Sequence, residues 1–238
     1  ANQQHRRMPP AFGFYPTSDV YNGGNGLGNV FFHLLPFLEQ QTLHQHSRYR
    51  PPGTPRMNFL FYTMNNVHQT PLPAFHCPSD PTLMAGVNPA THYAPSSYAA
   101  NYLVFGNVDA KFANRNAQGR PRAGETFLDG ASQTILFAEK YASAWNATYQ
   151  GGCHWAYFQA DCHNPFFAYV EPGLSSKTDP NAIGPTSAFQ VQPNAAGGCN
   201  PCLPATGHSA MNACMADGSV RPLTASINRL TWWALVTP

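Results

Sequence analysis

Charge is what this sequence has least of: 13 Lys and Arg and 11 Asp and Glu make up 10% of its 238 residues, where a soluble domain carries about 25%. Lysines occur only at Lys111, Lys140 and Lys177. With a net charge of +2 and scattered arginines, the chain has no basic stripe to follow a phosphate backbone, which argues against nucleic acid as a partner. It also lacks an apolar run approaching the ~18 residues of a membrane helix and a leader with a charged start and apolar middle. There is no Gly-x-Ser-x-Gly nucleophile elbow and no Cys-x-x-Cys-His haem motif. The sequence therefore gives no support for an exported hydrolase or a haem filament.

What is present is core material and uncharged polarity. Hydrophobic residues are 43% and aromatics 13% of the chain, enough for one domain over residues 1–238, with Asn, Gln, Ser, Thr, Gly and Pro supplying the surface. Six cysteines (Cys77, Cys153, Cys162, Cys199, Cys202 and Cys214) form an even set, which with the low charge points to an oxidising compartment. At least two disulfides are expected. Cys153 to Cys162 is the favoured pair, because it closes a short loop in an irregular segment, and a structural bridge is favoured for Cys199-Asn200-Pro201-Cys202. The repeated dipeptides Cys153-His154 and Cys162-His163 also invite a zinc site, but neighbouring strand residues point to opposite faces.

Residues 1–28 are rich in Pro, Gly and Asn and read as loop. Helical spacing of apolar residues begins after Asn29, a plausible N-cap, and predicts a helix from about 29 to 46 that Pro36 must kink or start. Short apolar runs predict strands at 59–64, 97–105 and 132–140, and residues 106–124 read as a polar hairpin or insertion. Met211–Met215 and Ser219–Pro222 flank Asp217-Gly218 and predict a hairpin, followed by a short helix or strand at 228–236. Residues 143–202 hold four cysteines and many aromatics and read as a loop insertion whose rings either form a core or stack on sugars. Asp80, Asp129, Asp161, Asp179 and Asp217 leave calcium open as a ligand, without the Asp-x-Asp-x-Asp spacing that would assign it. No other cofactor is expected.

Several phrases recur in a fixed order: Asn29-Val30-Phe31-Phe32-His33-Leu34-Leu35-Pro36, Cys77-Pro78-Ser79-Asp80, Ser97-Tyr98-Ala99-Ala100-Asn101, Asp129-Gly130 through Glu139-Lys140, and Gly207-His208-Ser209 followed by Asp217-Gly218-Ser219. Together they resemble the planctomycete-type prepilin-like surface proteins, a domain of unknown function with a C-terminal His-x9-Asp-Gly signature. Here eight residues separate His208 from Asp217. The resemblance implies an α+β fold: a pilin-like head with an antiparallel sheet, a packed helix and long disulfide-stapled loops. Asp217-Gly218 would be its hairpin turn and His208 the side chain that fixes that turn. It also implies a non-catalytic, extracellular or cell-surface filament subunit of the type IV pilin or pseudopilin kind, which self-assembles with identical copies. Membrane contact would come only through an apolar helix upstream of Ala1. The competing expectation is an extracellular module that binds glycan or another ligand through residues 143–202.

Overall fold

The computed structural model describes residues 7–54, 56–108, 115–122, 125–159, 161–170 and 177–238. At its centre is a five-stranded sheet in the spatial order Phe166–Phe167, Tyr98–Asn101, Ile135–Glu139, Met211–Met215, Val220–Leu223. The first pair is parallel and the other three are antiparallel. The fold is α+β.

Strand alternation gives this sheet two apolar faces. On one, Ala99, Ala138, Phe167, Met211, Ala213 and Met215 are fully buried beneath the C-terminal helix Arg229–Val236, chiefly Trp232 and Val236. Asn228 caps that helix, its side chain accepting from Leu230 N. On the other face, Ala100, Leu136 and Phe166 meet the N-terminal part of the chain through Phe31 and Phe75 and the middle of it through Trp155, and Phe137 packs against this cluster. Leu136 and Phe137 lie on the same side because the strand bulges. Cys214 pairs with Phe137 and Met215 with Ile135, so Leu136 is stepped over, and the extra residue lets two consecutive large side chains enter one core.

The expected helix over 29–46 is broken into three pieces. Asn29 is its N-cap, accepting from Phe32 N, and Val30–Leu34 is helical. Pro36 then starts a 3₁₀ turn at Leu35–Phe37 rather than kinking a continuous helix. Glu39 takes a left-handed conformation, with φ 61°, which ends the run before a second helix forms at Gln41–His46. The strand expected over 97–105 stops at Asn101, whose side chain accepts from Leu103 N and turns Tyr102–Phe105 into a helical turn. The amide of Asn101 also donates to Ile135 O and Val236 O, joining the sheet to the C-terminal helix. The strand expected at 132–140 runs from Ile135 to Glu139, and the one at 59–64 from Phe59 to Phe61.

A second, four-stranded sheet, ordered Phe12–Tyr15, Gly26–Asn29, Phe59–Phe61, Arg48–Tyr49, covers the N-terminal side. Within the segment read as a loop insertion, Phe166–Phe167 pairs with the central sheet. The ammonium of Lys140 is buried beside that strand and donates to the carbonyls of Cys162, Asn164 and Phe166. Burial lowers its pKa to about 8.

Candidate functional site

Where the central sheet meets the loop before it, three side chains from distant parts of the chain converge in a notch. Cys77 follows the 3₁₀ turn Pro73–Phe75 and is held by the rest of its phrase. Asp80 N donates to Cys77 O, and the Asp80 carboxylate accepts from Thr82 N, Thr82 Oγ1, Ser97 Oγ and Ala142 N. The phrase Cys77-Pro78-Ser79-Asp80 is thus a turn fastened to the sheet. Glu139 ends its strand with the side chain buried. His208 arrives on the segment after Ala205–Thr206, beside Gly207. A Cβ on Gly207 would overlap the Ser79 carbonyl, so only glycine lets this segment lie against the Cys77 turn.

The Glu139 carboxylate is the hub. Its Oε2 accepts from Thr206 Oγ1 at 2.7 Å and Asn212 N at 3.0 Å. Its Oε1 lies 2.8 Å from His208 Nδ1 and 3.6 Å from Cys77 Sγ. The sulfur, the imidazole nitrogen and the carboxylate oxygen all fall within 4.8 Å of one another, the only such group of three or more among the described residues. Cys77 and Glu139 are buried, while the His208 side chain is 38% exposed. Beside them opens a cavity of about 420 Å³ that Tyr98, Phe137 and Asn212 also line.

Burial, reinforced by Glu139, pushes the Cys77 thiol up, and burial with Cys77 and Glu139 nearby pushes the Tyr98 phenol up to about 12. A carboxylate next to a buried thiol opposes thiolate formation, the reverse of what activates a catalytic cysteine. The notch is therefore poorly suited to nucleophilic chemistry and better suited to holding groups together.

The other predicted residues fall elsewhere. Asp217 and Gly218 form the tip of the hairpin, where the Asp217 carboxylate accepts from Ser219 N and Oγ, which hold it below the usual carboxylate range. His208 bonds Glu139 and not this turn, which corrects the role expected of it. The expected Cys153 to Cys162 bridge is replaced by Cys162 to Cys202, with Cα atoms 4.7 Å apart, and Cys77, Cys153, Cys199 and Cys214 are free. One bridge forms instead of two or more, and the Cys199 to Cys202 staple is not made. The Cys153 thiol is engaged instead with Tyr98 O at 3.1 Å. Because Cys162 is consumed by the bridge, the Cys153-His154, Cys162-His163 quartet is not available for zinc. Its two imidazoles stack at 5.2 Å.

Four of the aspartates considered for calcium, Asp80, Asp161, Asp179 and Asp217, are engaged separately. Asp161 accepts from Tyr157 and His163, and Asp179 from Asn181 and Asn200. Of the aromatic stretch, Trp155, Phe166 and Phe167 are buried in the core, whereas Trp145 is exposed. Sequence reading missed Cys77 and Glu139 as partners of His208. The three lie in three separate phrases, and no local spacing links them.

A family model described as a protein of unknown function (DUF1559) matches residues 2–230. No curated protein and no solved structure matches the chain.

Proposed function

The chain belongs to the DUF1559 family of proteins of unknown function, and we propose that it is the head of an exported, non-catalytic surface subunit that assembles with copies of itself. The observation that carries this reading is the use to which the recurring phrases are put. Asn29 caps a helix, Asp80 fastens a turn, Asn101 joins the sheet to the C-terminal helix, and Asp217-Gly218 closes a hairpin. Each phrase builds a scaffold. The buried thiol beside a carboxylate argues in the same direction.

A disulfide and a surface short of charge suit an oxidising, extracellular setting, and no helix among the described residues is long and apolar enough to cross a membrane. A filament of the type IV pilin or pseudopilin kind is the assembly that the motif resemblance favours. Antibody labelling of intact native cells, viewed by electron microscopy, tests both parts. Ordered surface assemblies are expected; a dispersed protein inside the cell overturns the reading.

A further inference from the structure

We propose that Cys77, Glu139 and His208 form a three-ligand site for a zinc-class divalent cation. The donor set is one sulfur, one oxygen and one nitrogen. Calcium and magnesium are served by oxygen alone, whereas thiolate, imidazole and carboxylate together suit zinc. The three donor atoms lie within 4.8 Å of one another, close to what a single ion requires. With bonds of about 2.3 Å to sulfur and about 2.0 Å to nitrogen and oxygen, tetrahedral ligands sit about 3.3 to 3.6 Å apart.

Cys77 Sγ and Glu139 Oε1 are already 3.6 Å apart. His208 Nδ1, at 2.8 Å from Glu139 Oε1, must retreat by about 0.5 Å to reach that spacing, and a partly exposed ring on a surface segment can do so. Binding releases the thiol proton to solvent, and His208 turns its Nδ1 lone pair to the metal with the ring proton on Nε2.

The surroundings are those of a ligand shell. Glu139 presents Oε1 to the notch while Thr206 Oγ1 and Asn212 N hold Oε2, so the carboxylate is oriented from behind, as second-shell donors orient metal ligands. The adjoining cavity leaves a fourth position for water or an exogenous ligand. An ion there would clamp the Cys77 turn and the His208 segment onto the sheet. This inference is independent of the surface-assembly reading and neither supports nor needs it.

The test uses the intact, disulfide-bonded chain, stripped of metal by chelation and titrated with Zn²⁺ by calorimetry and with Co²⁺ by absorption. One equivalent of each should bind, Co²⁺ giving the visible bands of a four-coordinate ion and a near-ultraviolet thiolate band. Cys77→Ser should abolish the thiolate band, and His208→Gln should weaken Zn²⁺ at least about 10-fold. Thr206→Val, which frees the back of Glu139, should weaken it about 10-fold as second-shell losses do. Cys199→Ser, a free thiol in a separate cluster with Tyr141 and Ala144 and outside the lining of this cavity, should change neither.

Circular dichroism checks that each variant is folded, and His208→Gln, at a half-exposed position, remains decisive if Cys77→Ser does not fold. Absence of stoichiometric binding, a Co²⁺ spectrum without the thiolate band, or His208→Gln binding Zn²⁺ like the parent chain overturns the site and leaves a purely hydrogen-bonded clasp.

Discussion

The two faces of the central sheet are made from the same strands and solve burial in different ways. The face under the C-terminal helix is mostly apolar: Met211, Ala213, Met215, Trp232 and Val236, from the last stretch of chain, are fully buried with Ala99, Ala138 and Phe167, and the buried Asn101 amide reaches Val236 O beside them. The opposite face draws on Phe31, Phe75, Phe137, Trp155 and Phe166, spread over much of the sequence. Around that second core lie polar groups that burial obliges to find partners. Asn29 reaches Trp155 O, His33 bonds the carbonyls of Gly13 and Gly28, and Glu139 gathers the notch. A face closed largely by neighbouring sequence needs few buried polar groups. One closed by distant loops buries backbone and side-chain polar groups along with its rings, and it is there that titration and ligand binding can occur.

Acid should separate the faces most sharply. Burial depresses His33 to about 3, His44 to about 4 and His154 to about 3; the first two lie in the N-terminal part and His154 packs against His163, and none of the three is in the cluster under the C-terminal helix. Below pH 6.5 the unfolded chain takes up these protons and the folded chain does not. Stability is therefore present above pH 6.5 and lost as pH falls. Each histidine approaches about 1.4 kcal/mol per pH unit, and together they should cost about 5 kcal/mol between pH 6.5 and pH 5. Denaturant unfolding at pH 7 and pH 5 measures this. His44→Leu, which replaces a buried ring whose nitrogens have no partner, should remove about a third of the dependence. Equal stability at the two pH values would contradict the assignment of these rings to the core.

The mostly apolar face should respond to volume and not to pH. Trp232→Ala deletes a fully buried indole that packs on Phe189 and Phe167 and donates to Ser187 O, and should cost about 3 to 5 kcal/mol. The loss should be the same at pH 7 and pH 5.5. If it shrank markedly in acid, the two faces would be one coupled core. Outside both faces, Cys162 and Cys202 close a loop with a sequence separation of 40. Replacing both by alanine should lower stability by about 2 to 4 kcal/mol, with the four remaining thiols still free by chemical titration.

How much of this was legible divides along the same line. The hairpin Met211–Leu223 and the strand ending at Glu139 are local, and their short apolar runs and turn residues show in the sequence, whereas the last element, which Asn228 caps as a helix, reads equally as helix or strand. The N-terminal side was harder. Helical spacing from Asn29 to Leu43 gives no sign that Glu39 adopts a left-handed conformation and splits the run. The Cys162 to Cys202 pairing and the notch depend on which way side chains face after distant loops have packed. His208 could be singled out because it stands in a recognisable phrase, but its partners lie in two other phrases and are joined to it only by the folded chain.

The smallest effect concerns the turn that joins the edge strand Val220–Leu223 to its neighbour Met211–Met215. Gly218 has φ 87°, and a Cβ there would meet no atom within 4 Å. Gly218→Ala therefore brings no clash and costs only the left-handed backbone, about 1 kcal/mol. The remaining bonds of the turn stay in place: Gly218 N to Met215 O, Met215 N to Ser219 O, and Ser219 N to Asp217 Oδ1. Register should therefore persist, with Met211 opposite Leu223 and Cys214 opposite Val220. Neither the Trp232 environment nor the notch should then change. Thermal unfolding with tryptophan fluorescence tests this: a modest drop in midpoint with an unaltered native spectrum is expected. A loss above about 3 kcal/mol, far beyond a single left-handed residue, would mean that a one-residue slip had exchanged the two faces of this strand pair.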